Sequence, residues 1–179
     1  MRTVISPQIQ FGQTDIPNIV IDVRSRDDIP MILLGLQHIY INLPLRIAIF
    51  EILQDIIPHK TDDNNTGIIP VASDKGRPGM EQWKILVLGT LRLALNTDYD
   101  RIQELANEHR TLRMMLGHGI FDEESRYCLQ TLKDNLTLFT PNIMARINAE
   151  VIRAGHKLLD LDINAMIRGR ANTYKLTEK

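Results

Sequence analysis

Residues 80–119, MEQWKILVLGTLRLALNTDYDRIQELANEHRTLRMMLGHG, decide the fold. Between Lys84 and Arg92 the chain is apolar on nearly every side, the pattern of a helix buried at the centre of a bundle. Ile85, Val87 and Gly89 disfavour helix and leave a buried strand as the alternative. After Asn96, Thr97 and Asp100 have the form of a capping box. Tyr99, Ile102, Leu105 and Ala106 then give one apolar side to a helix expected to end near Asn107. Residues 111–116 have room for one short helix, with Leu112, Met115 and Leu116 inward, Arg110 and Arg113 outward, and Gly117 as the stop. Helix, tight turn, helix and glycine is the order of a helix-turn-helix.

Downstream, Leu129, Leu132, Leu136 and Phe139 mark a further helix. Thr140 as cap and Pro141 in the first turn then open another, with Met144, Ile147, Val151, Ala154 and Leu158 spaced by three and four. Upstream, residues 58–79, PHKTDDNNTGIIPVASDKGRPG, collect Pro, Gly, Asp and Asn with almost no apolar period and read as a linker or long loop, where a domain boundary is expected. Before it, RDDIPMILLGLQHIYIN begins a helix with Asp27 or Asp28 as cap, Pro30 in the first turn, and Ile29, Leu33, Leu36 and Tyr40 at helical spacing. Asn42 restarts the chain, and Pro44 opens a second helix with Ile47, Phe50, Leu53 and Ile57 on one face, ended by Pro58. The first 26 residues show no helical period; the run IPNIVIDV reads as a short strand or an extended arm. The expected fold is all-α: a helical bundle containing a helix-turn-helix, preceded by a short extended N-terminal arm.

A length of 179 residues fits one ordinary domain or two small ones, and 44% hydrophobic with 24% charged residues is a composition that folds rather than one that stays disordered. No run approaches the roughly 18–20 apolar residues a bilayer requires, and MRTVISPQIQ lacks an apolar signal core, so a cytoplasmic protein with no membrane partner is expected. Cys128, the one cysteine, cannot form an internal disulfide or a thiolate cluster for zinc. Residues 1–70 hold five Lys/Arg against eight Asp/Glu (−3), and residues 71–179 hold sixteen against fourteen (+2). So mild a balance does not by itself point to nucleic-acid binding, which usually shows a concentrated basic face, and a nucleic-acid reading must come from motifs.

His109 and His118, with Asp122, Glu123 and Glu124 nearby, match no common zinc spacing; turn histidines and a solvated acidic surface account for them, and no metal is expected. No Gly-x-Ser-x-Gly turn or comparable signature surrounds a serine or Cys128, so no catalytic residue is assigned. GRPG, residues 76–79, lacks the phosphate-cradling spacing and reads as a linker turn, with Arg77 in reach of a DNA phosphate. Arg110 and Arg113 suit phosphates or base edges if the second helix faces DNA, and a solvated helical corner if it does not.

The stretches SRDDIPMILLGLQHIY, GRPGMEQWKILVLGTLRLALNTDYDRIQELANEHRTLRMMLGHG, YCLQTLKDNLTLFTPNIMARIN and AGHKLL, within residues 25–159, resemble the N-terminal region of ISNCY-type insertion-sequence transposases, relatives of the DDE transposases. The resemblance implies a helical front half that recognises the ends of the element on double-stranded DNA. In full-length relatives an RNase H-like nuclease domain with acidic metal ligands follows. In the tail RGRANTYKLTEK, Asn172 stands where the family's first acid would belong, and an amide is a poorer Mg²⁺ ligand than a carboxylate. Two-metal phosphoryl transfer requires several carboxylates, so a truncated fragment that binds without cutting is expected, with no cofactor of its own.

The expected organisation is an arm and helical hairpin over 1–57, a linker over 58–79, a DNA-binding helical domain over 80–159, and a tail over 160–179. Arg77, Arg101, Arg110, Thr111, Arg113 and His118 are the candidate DNA-binding residues. The alternative is a helical protein-interaction module without DNA binding, forming a homo-oligomer through residues 125–158.

Overall fold

The computed structural model describes residues 3–5, 11–56, 59–61, 68–70, 79–122 and 124–157. Arg77, Leu158 and the tail with Asn172 lie outside them. Helix α1 (Ile29–Ile41) starts as the Asp–Pro pattern requires: the Asp27 carboxylate accepts from the Ile29 amide at 3.2 Å, and Pro30 occupies the first turn where its missing N–H costs nothing. Asn42 both ends α1 and caps α2 (Leu43–Gln54), its side chain accepting from the Leu45 amide at 3.2 Å. The two helices bend by 99° at that residue, and among the described residues no single helix is long and apolar enough to cross a membrane. On α2 the inward positions are Leu45, Ile49, Ile52 and Leu53, continued by Ile56, while Ile47 is 51% exposed. Of the expected face, Leu53 is buried and Phe50 packs half-buried on the core, Ile47 faces out, and Ile57 lies outside the described residues; α2 is apolar around much of its circumference, and the angle to α1 selects which side is covered.

The expected linker carries regular structure. Strand β1 (His59–Thr61) pairs antiparallel with β2 (Ile68–Pro70), placing His59 opposite Pro70 and Thr61 opposite Ile68.

Helix α3 (Gln82–Ala94) is the centre of the bundle, helical and not a strand, with Trp83, Ile85, Leu86, Val87, Leu88 and Leu91 all buried. Burial on every side outweighs the weak propensities of Ile85, Val87 and Gly89. Its N-terminus has no side-chain cap; the N-terminal arm supplies one instead, the carbonyls of Thr3 and Val4 accepting from the amides of Gln82 and Trp83 at 3.1 and 2.8 Å. The run expected as strand or arm forms a single 3₁₀ turn at Ile16–Asn18. It is held on α1 by Gln37, whose Nε2 donates to the carbonyls of Ile16 at 2.8 Å and Ile19 at 2.9 Å.

Helix α4 (Tyr99–Glu108) is capped by Asp98 and not by Thr97: the Asp98 carboxylate accepts from the Arg101 amide at 2.9 Å. One residue, His109, separates it from α5 (Arg110–Met115). Then come α6 (Leu129–Leu136) and α7 (residues 141–157), the latter opened by Thr140, whose Oγ1 accepts from the Ile143 amide at 3.4 Å.

The boundary expected at 58–79 does not separate two cores. Helix α3 packs against α1 and α2 as well as against α4 and α6. Trp83 meets Tyr40 edge-on with ring centroids 5.4 Å apart, lies 6.1 Å from Phe50, and donates its indole N–H to the Met115 carbonyl at 3.0 Å. One apolar cluster runs from Ile16 to Ile147.

Candidate nucleic-acid interface

The junction between α4 and α5 is built by His109. Its amide closes α4 by donating to the Leu105 carbonyl at 2.9 Å, and its Nδ1 accepts from the Leu112 amide at 3.2 Å, so one side chain ends a helix and caps the next. Leu112, Met115 and Leu116 bury the inner face of α5. Its end is a Schellman turn: Gly117, at φ +83°, donates to Met114 at 2.9 Å, and His118 donates to Arg113 at 3.0 Å. Glycine suits this left-handed position because a side chain there is strained.

Beyond Gly117 the chain is organised around Arg113. Its guanidinium donates to the carbonyls of Asn107 at 3.4 Å, Ser125 at 3.0 Å, and Asp122. Arg113 is therefore not the outward-facing arginine expected; it is half-buried and fastens Asp122 and Ser125 to the end of α4. His118 is likewise no free DNA contact. It is 8% exposed, with Nδ1 2.8 Å from Asp122 Oδ2 and Nε2 2.7 Å from the Tyr127 hydroxyl.

The charge states follow from these contacts. Burial by itself raises the Asp122 carboxyl, but hydrogen bonds from Ser125 and His118 outweigh it and hold the group down at about 2, so it is a carboxylate that accepts from His118 Nδ1–H. Burial raises the Tyr127 phenol, so its O–H donates to His118 Nε2. Burial lowers the His118 imidazole below its ordinary value of 6.5; the Asp122 bond opposes this, and Lys84 and Arg113 add to it. Neutral His118 satisfies all three groups. Tyr127 is in turn fixed by Asn107, whose Nδ2 donates to the Tyr127 carbonyl at 3.0 Å while its Oδ1 accepts from the Tyr127 amide at 2.8 Å.

This scaffold presents a polar cleft of about 320 Å³, whose wall includes Asn107, Glu108, Arg110, His118, Ile120 and Arg126. Arg110 is exposed at the first position of α5, and among the described residues no hydrogen bond or ion pair holds it. Arg126, also exposed, pairs with Glu108 at 2.8 Å. Arg101 is exposed on α4 and paired with Glu104 at 2.6 Å, and Thr111 is half-buried beside Arg110. The candidate residues thus divide: Arg110 is available, Arg101 is available at the loss of a solvated ion pair of small worth, and Arg113 and His118 are architectural. Sequence reading missed Arg126, Asn107 and Tyr127, which come together only when Arg126 and Tyr127 return to α4. Among the described residues no three His, Cys, Asp or Glu side chains come together as a metal-ligand group.

A second concavity, of about 910 Å³ and mostly apolar, lies between α1, α3 and α7, with Leu34, Leu93 and Val151 partly exposed along it. Comparison with protein families, curated proteins and solved structures gives no match to this chain.

Proposed function

We propose that this chain binds double-stranded DNA through α4 and α5, as the resemblance to ISNCY-type transposases implies: it recognises element ends in DNA transposition, in the cytoplasm, and does not itself cut. The observation that carries the reading is Arg110, exposed and without a partner among the described residues, at the start of a short helix that His109, Gly117 and Arg113 hold beside a cleft flanked by Arg126. A guanidinium at a helix start suits a phosphate oxygen or the edge of a guanine. The chain's formal net charge is −1, so binding rests on a few such contacts.

The test is anisotropy titration on duplexes carrying the terminal inverted repeats of an ISNCY-type element, against scrambled duplexes. Each phosphate contact contributes about −0.9 to the slope of log affinity against log salt, so Arg110→Ala lowers the magnitude of that slope by about one. Affinity that does not change between low and physiological salt overturns the reading. Incubation of the same duplexes with Mg²⁺ or Mn²⁺ is expected to give no nicking, because the family's acid set is not matched at Asn172.

A second reading, a helical module that pairs with another copy of itself through residues 125–158, draws on the apolar groove, to which α7 contributes Met144, Ile147 and Val151. Sedimentation of the wild type and of Leu93→Asp separates the two: a dimer lost in the variant, with no DNA binding in either, favours the second.

A further inference from the structure

Phe11 and Phe121 are among the most exposed large apolar side chains described, at 92% and 74%, yet they are not loose singletons. Their rings stack with centroids 6.0 Å apart and planes 17° from parallel. The backbone is shaped to bring them together. The Ile120 amide donates to the Gly12 carbonyl at 3.1 Å, joining the N-terminal arm to the loop that follows α5. Glycine is required on both sides: Gly12 has φ +77° and a Cβ there would lie 2.9 Å from the Phe121 ring, and a Cβ on Gly119 would lie 2.8 Å from the Phe11 carbonyl oxygen. Two stacked phenyl rings left in water give up the burial that normally justifies a phenylalanine.

Their location suggests what covers them. Gly119 and Ile120, immediately before Phe121, form part of the wall of the Arg110 cleft. Its lining holds Arg110, Arg113 and Arg126 against Glu108 and Asp122, three positive groups to two negative. Aromatic faces beside guanidinium groups are the pairing that holds single-stranded nucleic acid, the rings stacking on bases while the cations hold the backbone. Bases inside a duplex are stacked on one another on both faces, so such rings suit unpaired bases, which are splayed out and uncovered.

We propose that the Phe11–Phe121 pair is a stacking platform for unpaired bases of a DNA single strand or frayed end, with the backbone held at the Arg110 cleft. This rests in part on the DNA-binding reading above, and names the form of DNA that the site prefers.

Anisotropy titrations of the full chain with a blunt duplex, the same duplex with an overhang of about six nucleotides, and the overhang strand alone test it. The overhang is expected to tighten binding by about fivefold or more, the effect of stacking a single base. Phe11→Ala and Phe121→Ala remove that gain and leave blunt-duplex affinity unchanged. Phe121→Trp keeps the gain, and its fluorescence is quenched by the overhang but not by the blunt duplex. Equal affinity for blunt and overhanging duplexes overturns the platform while leaving duplex binding intact. Binding only to DNA with unpaired bases, sensitive to both phenylalanines, upholds the platform and removes the duplex reading. Self-association abolished by Phe121→Ala, with no DNA form bound, shows that the rings serve a second copy and overturns the proposal.

Discussion

The guanidinium of Arg113 satisfies three backbone carbonyls at once, while that of Arg110, three positions earlier on α5, meets none among the described residues. Removing a charged donor from partly buried acceptors costs about 1.5–3 kcal/mol, and removing a solvated surface arginine costs less than about 0.5 kcal/mol. Denaturant unfolding is therefore expected to show Arg113→Ala destabilised by about 2 kcal/mol and Arg110→Ala near wild type, the reverse of their expected effects on DNA affinity; equal stabilities would refute the division. His118 gives the second prediction at this scale. Its folded-state pKa lies below the unfolded value of 6.5, so the unfolded chain takes up a proton first, and the contribution to stability is present above that pH and lost as pH falls toward the folded value. Asp122 has the same sign, its contribution being lost between 3.8 and about 2. Thermal melts are expected to fall between pH 7 and 5, and His118→Gln to flatten that fall; a His118→Gln profile as steep as wild type would show that another group carries it.

Helix α3 contains a glycine where helix propensity alone favours alanine by about 1 kcal/mol. Its reason is Phe139, between α6 and α7: a Cβ on Gly89 would come 2.6 Å from Phe139 Cδ1. Overpacking of this kind costs about 1–3 kcal/mol, which exceeds the propensity gain, so Gly89→Ala is expected to lower the melting midpoint, and Phe139→Leu in the same chain to recover part of the loss. A Gly89→Ala protein more stable than wild type would show that Phe139 moves aside freely. The case shows what local pattern can and cannot disclose. The all-round apolarity of α3, the inward set Leu112, Met115 and Leu116, the stop at Gly117 and the cap at Thr140 were all legible, because each depends on residues within a turn or two. Gly89 read only as a weakness, since its partner lies fifty residues on. Ile47 was read as inward for a similar reason: the side of α2 that is covered depends on the angle α2 makes with α1.

At the scale of the whole molecule, the proline- and glycine-rich stretch 58–79 suggested two units, because composition reports the chemistry of a connection and not whether the elements it joins touch. Trp83 packs across the connection. Its ring faces Tyr40 of α1 and Phe50 of α2, and its indole N–H is bonded to the Met115 carbonyl of α5, so the segments before and after the connection share one buried side chain. The candidate site shows the same limit: His109 and Gly117 mark it in sequence, while Arg126 and Tyr127 join it only through the return of a later segment. If one core is the right description, unfolding is a single event. Trp83 fluorescence, which reports the α1–α2–α3 contact, and far-UV circular dichroism, which reports all helices, are then expected to give coincident denaturant transitions. Leu33→Ala on α1 and Leu88→Ala on α3, both at fully buried positions, should each shift both signals together by about 2–5 kcal/mol. A Leu33→Ala protein whose fluorescence transition comes early while most helical signal persists would mean that α1 and α2 detach on their own, and that the connection does separate two folding units despite the shared tryptophan.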